Sequence, residues 1–230
     1  MKKQLIRLFK QKILIIFIIT YSSVAYAQEE DMELWTGIQI EENITKKLKT
    51  SFEQEFRFNE NISNTKKIYS ELGLSYKINK NIRIAASYRF EKNQKIEDYY
   101  VNRHCFYAGI TLKNKIKRFA LAFRTQYKTK YVSSYSEEYG SVPKNYLRNK
   151  LSLKYNIKKN PVTPFFYCES FYQLDNPEGN EFDKIRYALG VDYKINKKNN
   201  LNIFYMLQKQ FNVNSPVQSY IIGIGYQYEL

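Results

Sequence analysis

The last twelve residues, Ser219-Tyr-Ile-Ile-Gly-Ile-Gly-Tyr-Gln-Tyr-Glu-Leu230, restrict the fold more than any other stretch. In an extended strand successive side chains point to opposite sides. Tyr220, Ile222, Ile224, Tyr226 and Tyr228 therefore share one face, and Ile221, Gly223, Gly225, Gln227 and Glu229 the other. The first face is aromatic at its ends and aliphatic between, which suits a slab of lipid with two wet interfaces. The second is small or polar, as a barrel interior requires. Such a strand is expected to close a transmembrane β-barrel against the first strand. It would also be the segment offered to the barrel-assembly machinery.

The same alternation runs back through the chain in windows at 33–44, 48–58, 68–78, 82–92, 99–112, 116–130, 145–157, 162–173, 183–195, 201–211 and the terminal strand. Most are longer than the ~5–6 residues of an ordinary strand and match the ~9–11 that cross an outer membrane at a tilt. Short Lys/Asn turns alternate with longer polar loops, the longest at 131–143. The reading is an all-β fold, a single antiparallel up-and-down transmembrane β-barrel of about 10–12 strands. Eleven windows are counted, whereas single-chain bacterial barrels have even numbers. One strand is then split or missed, or 28–32 threads back through the lumen.

The N-terminus stands apart. Residues 1–12 are basic, 13–19 are uninterruptedly apolar, and Ala25-Tyr26-Ala27 is a cleavage-type site. The apolar run is well short of the ~20 residues that span a bilayer, so 1–27 reads as a cleaved secretory signal peptide and 28–230 as the barrel. No Cys follows the site, which argues against a lipoprotein. Five of the 37 basic residues lie in 1–27 with no acid, leaving 32 basic against 22 acidic residues and a net charge of +10. These charges are spread over strands and turns, so the excess points to anionic lipid headgroups and solvent, not to nucleic acid. Cys105 and Cys168 sit mid-strand and far apart in sequence; both are expected to be free thiols.

Alternation assigns two sets. Leu72, Leu74, Ile84, Tyr88, Leu151, Leu153, Leu189, Val191, Ile222 and Ile224 face lipid. Glu53, Glu55, Arg57, Glu71, Arg83, Arg89, Glu91, Arg103, Arg124, Arg148, Lys150, Arg186 and Asp192 line the lumen. In 162–173 the two faces are hard to tell apart.

The segments Leu34-Trp35-Thr36-Gly37, Glu53-Gln54-Glu55-Phe56-Arg57-Phe58, Gly73-Leu74-Ser75-Tyr76-Lys77 and Ser87-Tyr88-Arg89-Phe90 resemble an outer-membrane barrel family of Bacteroidota known as domain of unknown function 2490. The resemblance implies a barrel in the outer membrane of a Gram-negative bacterium. It implies no catalytic residues.

Chemistry is sparse. His104 is the only histidine. An acyl hydrolase would need it beside a serine and an orienting group; Asn102 shares its face and Ser87 lies on a neighbouring strand. The plainer role is a structural histidine near a strand end, and no enzyme activity is expected. No His/Cys/carboxylate spacing suits a metal, no glycine-rich phosphate loop precedes a helix, and no cofactor is expected. Trp35 falls on the charged face near a strand end, as rim packing or a ligand-stacking ring. Tyr76, Tyr88, Tyr99, Tyr127, Tyr155, Tyr193 and Tyr226 read as interfacial belts.

The inward charges have two uses. Paired across strands they hold a narrow barrel rigid; unpaired along one wall they make an ion-selective pore. Pairing is favoured. The expected protein is a monomeric barrel in contact with outer-membrane lipid, a narrow porin-like channel or a structural or binding barrel. A lipid-modifying enzyme and a soluble lipocalin-like barrel, with the apolar face inside, are the alternatives.

Overall fold

The computed structural model describes residues 29–96, 99–132, 143–176 and 179–230. The expected leader, 1–27, lies outside them. Eleven strands follow in order: β1 (Glu29–Asn43), β2 (Leu48–Asn59), β3 (Asn64–Lys77), β4 (Ile82–Ile96), β5 (Tyr99–Ile116), β6 (Phe119–Val132), β7 (Lys144–Tyr155), β8 (Val162–Leu174), β9 (Glu181–Lys194), β10 (Asn199–Gln210) and β11 (Val217–Glu229). Each pairs antiparallel with its neighbours in sequence, and β11 meets β1 to close the barrel. The described residues contain no helix.

Two expectations fail at the seam. The strand number is odd, so β1 and β11 run in the same direction and only a parallel ladder can join them. The barrel is thus antiparallel everywhere except there, and neither 10 nor 12 strands are needed. Nor does the segment after the leader thread the lumen: Glu29, Glu30, Asp31 and Met32 are the first rungs of β1, opposite Val217, Gln218, Ser219 and Tyr220. Parallel pairing is slightly weaker per residue than antiparallel. Length offsets this, with an unbroken register from Glu29↔Val217 to Glu41↔Glu229. Side chains clasp both ends: Tyr220 Oη donates to Glu30 (3.2 Å) at one, and Lys49 Nζ reaches Glu41 (2.7 Å) and Glu229 (3.3 Å) at the other.

The strict alternation of short and long connections is also corrected. One rim carries the connections 44–47, 78–81, 117–118, 156–161 and 195–198; the opposite rim carries 60–63, 97–98, 133–143, 175–180 and 211–216. Only 133–143 is long. The polar runs beside 60–63 and 97–98 stay in the ladder, because paired backbone needs no apolar side chain where water covers it. The rim bearing 44–47 is called the near rim below, the other the far rim.

The wall is inverted relative to a soluble barrel. Leu189 is 65% exposed and Leu72 59%, with Leu74, Ile84, Leu151, Leu153, Ile222 and Ile224 also exposed on the outer surface. Tyr88 and Val191 share that outer parity and are partly covered by their neighbours. Outer rings interlock near the rims, as in Phe119–Tyr155 and Tyr172–Phe182, each 4.9 Å between centroids. A lipocalin-like barrel would show the reverse. Inside, Trp35, Ala188, Met206 and Ile221 form a small apolar core, with Tyr167 and Phe204 against it. At Gly190 a Cβ would lie 2.5 Å from Ile203 O and 2.7 Å from Phe204 Cβ. Gly190→Ala must therefore spread the β9–β10 wall, at a cost of about 1–3 kcal/mol; guanidinium unfolding should show the loss, and an unchanged midpoint would refute this contact.

The two cysteines lie on opposite faces, Cys105 buried inside and Cys168 on the outer parity of β8; both are free. They cannot bridge.

Candidate functional site

Strand alternation delivers every residue of the expected lumen set to the inner face, and cross-strand register decides which of them meet. On β2–β4, Glu55 opposes Tyr69, and Glu71 is flanked by Glu53 and Arg89. Arg57 Nε lies 2.5 Å from Glu55 while its guanidinium sits 3.5 Å above the Trp35 ring. Arg89 repeats the device, 2.5 Å from Glu71 and 3.6 Å above Tyr69. Tyr69 Oη donates to Glu53 at 2.8 Å. Glu91 accepts from Lys67 at 3.1 Å, with Arg89 at 3.8 Å.

The second cluster centres on Glu169 of β8, 2% exposed. One carboxylate oxygen receives Arg124 (2.8 Å) and Arg148 (2.9 Å), and the other faces Arg186 at 3.6 Å. Arg186 also donates Nε–H to Gln208 at 2.9 Å. The Phe171 ring stands beneath Arg148 (4.8 Å) and Arg186 (4.7 Å). Trp35 joins the clusters, with Arg57 on its ring and Arg186 at 5.1 Å. Its indole N–H donates to Glu33 at 2.8 Å, and Lys66 reaches the other oxygen of that carboxylate at 2.5 Å. Arg57, Arg89, Arg148 and Arg186 are thereby each held by a carboxylate and a ring face, and desolvated cation–π contacts are worth up to about 2 kcal/mol. The result is a band of charges and rings that reaches across the barrel interior, with Arg186 of β9 beside Trp35 of β1.

Asp192 pairs with Lys154 at 2.5 Å, closer to the near rim. Arg83, Arg103 and Lys150 make no ion pair among the described residues. Lys150 instead lies 3.5 Å above Tyr167. Below this band the lumen opens toward the near rim as two cavities. One, about 1150 Å³, is bounded by β1–β7; the other, about 430 Å³, by β1, β2 and β7–β11.

Sequence reasoning missed the hub. Glu169 belongs to the strand whose faces could not be separated, because β8 carries rings on both sides: Phe165, Tyr167 and Phe171 inside, Phe166 and Tyr172 outside. A register shift at Phe171/Tyr172 blurs the parity further. The signal that was present is the strand's single formal charge, which marks the inner face. Trp35 is also corrected: it is 6% exposed and central, not at a rim. β1 starts at Glu29, four residues earlier than the apolar pattern, and that moves Trp35 inward along the wall. The outer tyrosines Tyr76, Tyr155, Tyr193 and Tyr226 lie toward the near rim, whereas Tyr88 and Tyr127 sit deeper in their strands; Tyr99 has the inner parity of β5 and is exposed at the far rim.

His104 lies on the outer face, its Nδ1 2.7 Å from Tyr88 Oη and its ring against Phe90. Ser87 has the inner parity of the neighbouring strand, so the wall separates the two. No group of three metal-ligating side chains occurs among the described residues.

Compared with known proteins, residues 32–219 match the model of a family described as "Protein of unknown function (DUF2490)". No curated protein matches. Several solved structures are similar. One is the β domain of the Bordetella autotransporter Brka, at 10% identity over 76% of this chain and 81% of that one, TM-score 0.49. Another is a bacterial polysaccharide outer membrane secretin, at 10% identity over 76% and 73%, TM-score 0.45. At this identity the likeness concerns the fold alone.

Proposed function

This chain belongs to the DUF2490 family of proteins of unknown function, and we propose that it is a Gram-negative outer-membrane β-barrel whose stoppered lumen makes it a structural or ligand-binding barrel, not an open channel. The observation that carries this is the inverted wall. Large aliphatic side chains such as Leu189 and Leu72 stand exposed outside, while Glu33, Glu91 and Glu169 are buried inside. In water that arrangement would leave a broad apolar surface uncovered; in a bilayer lipid covers it and the closed wall satisfies the backbone. The far rim, with the connection 133–143, would face outward, and the near rim the periplasm. Outer-membrane lipid is the partner of the outer face, and β11 the strand presented for assembly. His104 has no catalytic part in this reading.

The stopper is tested by conductance of the refolded chain in a planar bilayer. The expected result is a folded, heat-modifiable barrel that passes no steady current. Stable conducting steps from the unaltered protein would overturn the stopper and restore the channel.

A further inference from the structure

We infer that the near-rim cup is a binding site for a small anion bearing an apolar or aromatic body, with a phosphate or carboxylate held by Arg83, Lys113 and Lys150. The inference rests on the stoppered reading, because the stopper is the floor of the cup.

The space exists because of side-chain size. Where the stopper carries Trp35, Tyr69 and Arg89, the wall below it is lined by Gly73, Ser75, Ala85, Ser87, Ala122 and Ser152. The larger cavity, about 1150 Å³, exceeds the usual ~300–1,000 Å³ of a small-molecule site. It shares Gln39, Lys150, Ser152 and Lys154 with the smaller one, so the two adjoin.

Charge selects the occupant. The carboxylates of the larger cavity are already engaged: Glu71 by Arg89, and Glu41 by Lys49. In the smaller one Glu55 holds Arg57, Asp192 holds Lys154, and Glu53 accepts from Tyr69. Arg83, Lys113 and Lys150 make no ion pair among the described residues; Lys150 stands across from Glu169, whose oxygens Arg124, Arg148 and Arg186 occupy. Register sets them along one wall. Arg83 of β4 pairs with Thr111, Thr111 with Arg124, and Arg124 with Lys150 of β7, while Lys113 lies two residues along β5 from Thr111. Lys113 is exposed and Arg83 and Lys150 are half-buried, so together they leave a positive potential on the cavity wall that draws an anion in. On the other side of Lys150 the wall turns aromatic, with Tyr167, Phe165 and Trp35. An anionic head on the cations places an apolar body against these rings.

Trp35 borders the smaller cavity and is the chain's single tryptophan, so it reports occupancy by its fluorescence. The probe is 4-nitrophenyl phosphate, a quenching ring joined to a dianion, titrated against the full folded chain in zwitterionic lipid nanodiscs. Saturable quenching is expected, weakened by salt and absent with neutral 4-nitrobenzyl alcohol. Arg83→Gln and Lys150→Gln should each weaken binding about tenfold, the loss of one charge-assisted contact. Lys130→Gln, outside the cup, should leave it unchanged. Equal quenching by both compounds, no quenching, or an equal loss in Lys130→Gln would overturn the inference. Should the cup variants fail to fold, the comparison of charged and neutral probes on the unaltered chain decides alone. Nanodiscs containing anionic lipid separate the sources: competition identifies a lipid headgroup as the occupant, and its absence a soluble anion. A silent barrel that binds no anion sinks this inference and leaves the stopper standing; a conducting barrel sinks the stopper itself.

Discussion

Glu169→Ala is expected to lower the stability of the folded barrel by about 3–5 kcal/mol, the cost of stripping the partner from buried charges. Arg124, Arg148 and Arg186 all converge on this one carboxylate. Without it three guanidinium groups face one another with no counter-charge, Arg148 and Arg186 nearly buried and Arg124 at the cavity edge. Two unit charges 4 Å apart interact by about 4 kcal/mol even at an effective dielectric constant of 20. Folded proteins are stable by only about 5–15 kcal/mol, so the variant should fold poorly or unfold at much lower guanidinium. Heat-modifiable gel mobility and an unfolding titration measure both. A cycle separates lost attraction from new repulsion: adding Arg124→Met and Arg148→Met to Glu169→Ala should recover part of the loss, because fewer cations stay unpaired. A single variant within ~1 kcal/mol of the parent would show that the ion pairs are solvated, and the stopper would not exist as described.

Leu189→Arg tests the other face of the wall. Leu189 lies on β9 between Phe182 toward the far rim and Tyr193 toward the near rim, with Phe166 and Tyr205 as its outward cross-strand neighbours. An arginine at lipid midplane costs about 2–4 kcal/mol, falling to about 0–1 near the interfaces. The expected result is a loss in that range for Leu189→Arg and little for Tyr193→Arg, read as folded fraction after refolding into lipid vesicles. Two equally tolerated variants would mean that lipid does not cover this face. Lys154→Gln, which breaks a pair half exposed near the rim, should cost below ~1 kcal/mol.

The correct parts of the sequence reading and its failures have one physical root. Period-two alternation was legible wherever one face was apolar and the other charged, as in Asp183–Lys194, where Leu189 and Arg186 fall on opposite sides without ambiguity. It failed in β8, where aromatic rings serve both lipid and lumen and only Glu169 distinguishes the sides. Strand ends were also underestimated. The ladder extends past the apolar slab, so β1 begins with Glu29-Glu30-Asp31 and β3 with Asn64-Thr65-Lys66-Lys67.

The sequence by itself determined the barrel class, the outward and inward sets and the eleven windows, because side-chain parity is a local property of each strand. Only the tertiary structure decided how the barrel closes, since whether β11 meets β1 in parallel depends on residues almost two hundred positions apart. It likewise decided which inward charges are neutral partners and which stand free. Glu169 gathers three arginines from β6, β7 and β9, while Arg83 and Lys150 face a cavity. That choice is made by cross-strand register, and register is a relation between strands that no single strand contains.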